Sequence, residues 1–173
     1  MKKSEKIRLK NKLKTVNNYH YLNYTKYASL LIVILFIIYF CVLSMIENVS
    51  YEELLSNNPI IITGFIICTA NLYVWYVMKH FVEEIVNLEH IESIRLNMLV
   101  MAICQFFLMN FISVILMIIS LIKYFKWDQF TFKEAILEIK KDGQFSVLVI
   151  TTVVMLLMIS LVFMIFFAVN GML

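Results

Sequence analysis

Glycine is scarce in this chain of 173 residues, and the three present, Gly64, Gly143 and Gly171, lie too far apart to build a phosphate-cradling loop or a dinucleotide fingerprint. Neither G-x-S-x-G nor H-E-x-x-H occurs. Charge is scarce too: Asp, Glu, Lys and Arg make up 16% of the residues, against about a quarter in soluble proteins. Four long stretches, 27–46, 59–78, 97–122 and 145–173, hold no Asp, Glu, Lys, Arg or His. Proton-coupled carriers, pumps and voltage sensors place ionisable groups inside their membrane segments, so those classes are disfavoured. The cysteines Cys41, Cys68 and Cys104 fall within these stretches without C-x-x-C spacing and read as small apolar packing residues, not as disulfides or metal ligands. A protein that is not an enzyme, and that carries neither cofactor nor metal, is expected.

What the chain does have is apolar length. Hydrophobic residues make up 62% of it, segregated into those four stretches. A helix of 20 residues rises about 30 Å, the thickness of the hydrocarbon core. Residues 30–40 and 153–167 are apolar all round, where a soluble core helix keeps a polar face. The alternation of a membrane barrel is missing, so the spans are read as helices. The expected fold is all-α and polytopic, with four transmembrane helices at 27–46, 59–78, 97–122 and 145–170. A basic interfacial segment (1–26), a short acidic external loop (47–58), a cytoplasmic helical hairpin (79–96) and a loop at 123–144 with an amphipathic helix at 132–141 complete it. The first apolar run lacks a small-x-small cleavage site, so it is expected to be retained.

Orientation follows from the basic residues. Lys2, Lys3, Lys6, Arg8, Lys10, Lys12, Lys14 and Lys26 face a single Glu5 in the first 26 residues, which puts the N-terminus in the cytoplasm. Four spans return the C-terminus to that side, in a multi-pass protein of the plasma membrane. The first loop, with Glu47, Glu52 and Glu53 and no Lys or Arg, fits an external position. The third loop fits badly, because Lys123, Lys126, Lys133, Lys140 and Lys141 are then outside. Sequons at Asn48 and Asn23 carry little weight.

Three segments suit surfaces. Leu9, Leu13, Val16, His20 and Tyr27 share one side of a basic N-terminal helix, and Tyr19, Tyr21, Tyr24 and Tyr27 supply an aromatic belt. Each nearby Lys or Arg gains about 1 kcal/mol from an anionic leaflet. Anionic lipid headgroups are the expected partner, and nucleic acid is not, since no binding motif for it accompanies the charge. At 132–141, Thr131 and Glu134 form a T-x-x-E box, Phe132, Ala135, Ile136 and Ile139 repeat at helical spacing, and Gly143 stops the helix. Between the second and third spans, Glu83, Glu84, Glu89 and Glu92 make the hairpin acidic, with its turn near 87–90.

The candidates for chemistry are few. His80 and Glu84 share a helix face, as do Glu83, Asn87 and His90; such a set could bind Zn²⁺ or act through histidine protonation, but a solvated acidic surface is the preferred reading. In the third span Gln105, Asn110, Ser113 and Ser120 fall within roughly 140° of one another. In the second, Gly64, Cys68, Asn71 and Trp75 line a narrower stripe, with Gly64 and Cys68 a small-x-x-x-small packing pair. These polar groups either hydrogen-bond between helices or line a water-filled path, and for the path one chain has too few helices, so self-association is required.

The richness in lysine and isoleucine is similar to that of many small bacterial membrane proteins. A homo-oligomeric channel or membrane-permeabilising effector is the leading expectation. A non-catalytic accessory or immunity protein bound to another membrane protein is the alternative, and a small membrane enzyme or transporter the third.

Overall fold

The computed structural model describes residues 20–87, 89–125, 127 and 130–171. Most of the basic N-terminal segment lies outside the described residues. Seven helices make up the described structure: α1 (His20–Glu47), α2 (Tyr51–Asn57), α3 (Pro59–Asn87), α4 (Ile91–Phe107), α5 (Phe111–Tyr124), α6 (Phe132–Lys141) and α7 (Phe145–Asn170). No strand occurs among the described residues.

Three helices, α1, α3 and α7, are long and apolar enough to cross a membrane. Their 28, 29 and 26 residues correspond to about 39–44 Å of helix. Within α1 and α7 only 11% of the most apolar stretch is buried inside the chain, against 33% in α3, so α3 is the central helix of the three. The outer faces of α1 and α7 carry Leu31, Leu35, Ile38, Leu157, Met164 and Phe167, all more than half exposed. Water does not tolerate so continuous an apolar surface, whereas lipid does.

The third apolar run departs from expectation. In place of one helix over 97–122 the chain forms two, α4 and α5, separated by 108–110. Met109 adopts a left-handed φ of 57°, which costs roughly 1–2 kcal/mol for a residue with a side chain and reverses the chain. The two arms pack side by side and antiparallel: Ile94, Met98 and Met101 of α4 share a core with Met117, Leu121 and Tyr124 of α5, and the Arg95 guanidinium lies over the ring of Phe125, just past the end of α5. An uninterrupted apolar run has the same composition whether it forms one helix or two half-length ones. The 17 and 14 residues of the arms give only about 25 and 21 Å.

The core joins α1, α3, α5, α4 and α7. Its fully buried side chains include Leu22, Val74, Met78, Met98, Met101, Met117 and Met155. Five of those seven are methionines, whose unbranched side chains fill the uneven gaps left where a bent-back hairpin meets straight helices. A second small core of Leu96, Ala135 and Ile139, flanked by Leu99, Phe130 and Leu148, docks α6 against the base of the hairpin.

The shorter elements have local causes. Ser50 caps α2, its hydroxyl accepting from the Glu53 amide at 3.2 Å, with Glu52 and Glu53 in the first turn where carboxylates favour the helix dipole. Thr131 takes the N-cap position of α6 but makes no side-chain capping bond. At the other end of α6, the Gln144 amide donates to the Ile139 carbonyl at 3.0 Å and the Gly143 amide to Lys140 at 3.4 Å, with Gly143 at φ +71°. This double closure requires a left-handed residue, which glycine supplies without a Cβ penalty. The turn between α3 and α4 passes through His90, also left-handed at φ 48°.

Candidate functional site: the tip of the hairpin

The interruption between α4 and α5 is held by four polar side chains. Asn71, halfway along α3, donates from Nδ2 to the Ile67 carbonyl at 2.9 Å, which turns its Oδ1 toward the hairpin. There Oδ1 accepts from Asn110 Nδ2 at 2.8 Å and from the Ser113 hydroxyl at 3.2 Å. Asn110 Nδ2 spends its second proton on Gln105 Oε1 at 2.7 Å. Asn71, Gln105 and Ser113 are 0% exposed and Asn110 8%. Both protons of the Asn110 amide are used, so the orientation of each amide follows from its neighbours.

The two helix ends at the tip are not equivalent. Three carbonyls at the end of α4 are taken: the amides of Leu108, Met109 and Asn110 donate to Cys104, Phe106 and Gln105, each at 3.0 Å. Asn110 occupies the N-cap of α5 at φ −90°, ψ 67°, but with its side chain turned to Asn71 and Gln105 it makes no capping bond. The first-turn amides of Phe111, Ile112 and Ser113 are left uncapped at the positive end of the helix dipole. Gln105 Nε2 is buried with no hydrogen-bond partner. No Asp, Glu, Lys, Arg or His lies between Arg95 and Lys123, so the site carries no formal charge of its own. Phe106, Phe107, Met109, Phe111 and Ile112 surround it, each more than half exposed.

Asn71, Gln105, Asn110 and Ser113 thus come together, whereas Ser120 does not join them. Its hydroxyl donates to the Leu116 carbonyl at 2.8 Å and meets Thr25 of α1 at 3.2 Å, nearer the base of the hairpin. Gly64 lies against Phe36 of α1, where a Cβ would collide with the ring, and Cys68 is buried one turn further along. Tyr73 and Thr151 join α3 to α7 through their hydroxyls at 3.0 Å.

The second candidate set gathers around Glu84. His80 and Glu84 face a cavity of about 290 Å³ between α3 and the start of α7, walled by Tyr73, Tyr76, Gln144 and Val147. His90 is within electrostatic reach of Glu84 as well, and its Nδ1 lies 3.6 Å from an Asp142 carboxylate oxygen. Among the described residues no three His, Cys, Asp or Glu side chains come close enough together to hold a metal.

Arg95 escapes a reading that looks for polar stripes. Its guanidinium sits 5.2, 5.4 and 4.9 Å from the ring centroids of Phe125, Trp127 and Phe130, with Glu92 at 3.2 Å. Its signal in the sequence is the Glu92/Arg95 spacing together with the aromatics at 125–130, which only a folded-back hairpin brings to the same place.

No known protein family, curated protein or solved structure matches this chain.

Proposed function

We propose that this membrane protein is a homo-oligomeric channel for small solutes, with three spans, α1, α3 and α7, and a re-entrant hairpin, α4–α5, whose polar tip is the working element. The observation that carries this reading is the interruption at 108–110. Backbone that leaves the helix inside a membrane is tolerated where protein buries it or where it borders a water-filled cavity. Interrupted helices place unpaired backbone groups and dipole ends at the depth where solutes are handled. From Arg95 to Phe107 is about 18 Å of helix, so a hairpin based at the membrane surface turns within a hydrocarbon core of about 30 Å.

Charge supports the re-entrant arrangement. With α4 and α5 entering and leaving on one side, all fifteen Lys and Arg residues lie on the side of the N-terminus, which the positive-inside rule makes the cytoplasm. The lysines of 123–144, which a four-span arrangement strands outside, then lie at the cytoplasmic surface of the plasma membrane beside anionic headgroups. α7 in turn ends on the opposite face, in place of the cytoplasmic end expected from the sequence. The polar stripe is buried within one chain, so the path is assigned to the hairpin tip and not to a stripe facing a neighbouring copy. Three spans enclose no pore alone, and several copies are required.

The test is solute efflux from liposomes holding the purified chain. Flux above protein-free vesicles that changes in Asn110→Leu is expected. A pure, helical, monodisperse protein that passes neither small cations nor small anions ends the channel reading. The accessory-protein reading then takes its place, favoured by the exposure of Phe132, Ile136 and Leu137 along α6. Ile136→Asp with Leu137→Asp should release a co-purifying partner, whereas Ile139, 1% exposed, is already spent against Leu96.

A further inference from the structure

We infer that the cavity between α3 and α7 binds an organic ammonium ion with an apolar body, its cationic head beside Glu84. The cavity of about 290 Å³ lies at the small end of ligand pockets, which suits a compact ion. The residues that line it on α3 run from Tyr73 to Glu84, about 16 Å along the helix. At the Tyr73 end the two helices are joined, the Tyr73 hydroxyl meeting that of Thr151 at 3.0 Å. Val77, Val147 and Ile150 add aliphatic walls, and Gln144, just ahead of α7, lines the cavity together with His80 and Glu84. The site therefore grades from apolar walls within the span to a carboxylate, an imidazole and an amide near the end of α3.

The carboxylate sets the charge of the ligand. Glu84 is partly buried, and its charged neighbours are His90, His80 and Glu89, with no lysine or arginine among them. His90 is shared with Asp142 at 3.6 Å. A carboxylate in such surroundings gains from a cation brought beside it, whereas an anion is repelled. The walls set the kind of cation. Tyr73, Tyr76 and Phe81 all line the cavity, and Tyr76 packs edge-on to the His80 ring at 4.7 Å. Aromatic walls attract an alkylated ammonium without supplying the ligands that an inorganic cation needs on losing its water. Among the described residues no three His, Cys, Asp or Glu side chains meet to hold a metal. Tyr76 and His80 are exposed, so the cavity opens at the side of the bundle. A free ammonium ion and the headgroup of an ammonium lipid share the chemistry that this opening admits.

The test is equilibrium dialysis of radiolabelled benzyltrimethylammonium against the full chain in maltoside micelles, with protein-free micelles as the blank. Saturable binding that unlabelled tetraethylammonium displaces and benzenesulfonate does not is expected. Glu84→Gln, close in shape, should weaken it about tenfold or more. Glu83→Gln, at an exposed neighbour that does not line the cavity, should leave it unchanged. Tyr76→Leu keeps the carboxylate, alters a side chain that is 55% exposed, and should weaken binding about threefold. No saturable binding by the wild type overturns the proposal, as does an equal loss in Glu83→Gln. So does undiminished binding in Glu84→Gln or, where that variant does not fold, in Tyr76→Leu. Competition then separates the two sources. Displacement by dihexanoyl phosphatidylcholine and not by dihexanoyl phosphatidylglycerol assigns the site to a lipid headgroup, whereas displacement by free ammonium ions alone assigns it to a soluble cation. Neither result depends on solute flux, so the site and the channel stand or fall separately.

Discussion

Asn110 reaches across the interruption to Asn71, its Nδ2 2.8 Å from an Oδ1 that belongs to a different helix 39 residues earlier. The bond joins the turning point of the hairpin to the central span. The same Oδ1 also accepts from the Ser113 hydroxyl at 3.2 Å, so the start of α5 is tied to α3 at two successive points.

That relationship predicts strong coupling. Interhelical hydrogen bonds in membranes contribute about 0.6 kcal/mol on average and about 1.7 at most. Asn110 donates both its protons in a fully buried cluster, so the Asn71/Asn110 pair should lie at the upper end. A double-mutant cycle of Asn71→Leu and Asn110→Leu, followed by detergent-induced unfolding in bicelles, should give about 1–2 kcal/mol of coupling. Additive losses would mean that the bond holds nothing.

Gly64 sets the distance between α1 and α3, since a Cβ there runs into the Phe36 ring. Gly64→Ala gains up to about 1 kcal/mol in helix propensity but overpacks the contact at a cost of about 1–3 kcal/mol. A net loss of about 1 kcal/mol is expected in the same unfolding assay, and Phe36→Leu should reduce it. A neutral Gly64→Ala would show that the ring moves aside freely.

Arg95 clamps the base of the hairpin through a planar group among three rings. Lysine keeps the charge but cannot stack, so Arg95→Lys should destabilise by about 1–2 kcal/mol, within the range of desolvated cation–π contacts. Trp127→Leu should make the lysine substitution milder, because the two losses are shared. Fluorescence of Trp127 against added quencher gives a second readout: its exposure should rise in Arg95→Lys.

Much of this architecture is legible in the sequence, and the part that is not has a physical reason. Long uncharged runs can only be helices in lipid, which is why the helical class and three membrane-length helices follow from composition. The interruption is different. It uses neither glycine nor proline, and Met109 takes the left-handed conformation that a reader of sequence would assign to glycine. The polar residues at the tip are visible as a stripe, but Asn71 joins them only because the hairpin folds beside α3. Ser120, on the same stripe, pairs instead with Thr25, 95 residues away.

Glu138 should make stability fall as pH rises. Desolvation against the hairpin base, then the neighbouring Asp142, raise its carboxyl pKa, and Arg95 and Lys141 only partly counter them. A raised folded-state pKa favours the protonated form, so its contribution is fully present below the ordinary carboxylate value and is lost as pH climbs through the folded one. Glu138→Gln, which mimics the protonated form, should flatten that decline in thermal stability as pH rises above about 4. An unchanged profile would show that the carboxylate is already compensated by Arg95.

The re-entrant arrangement makes its sharpest claim at α6. If α4 and α5 together crossed the membrane, Lys133 and Lys140 would lie on the face that carries Glu52. With both arms on one side they lie on the face of the N-terminus, where five lysines near an anionic leaflet gain about 1 kcal/mol each. Single cysteines at Glu52, Lys133 and Lys140, in a background with Cys41, Cys68 and Cys104 replaced by alanine, separate the two. In intact cells a membrane-impermeant maleimide should label Glu52→Cys at once and should reach Lys133→Cys and Lys140→Cys only after permeabilisation. All three substituted side chains are exposed, so protection cannot come from burial within the chain. Equal labelling of all three in intact cells would place α6 outside and turn α4–α5 from a re-entrant hairpin into a span.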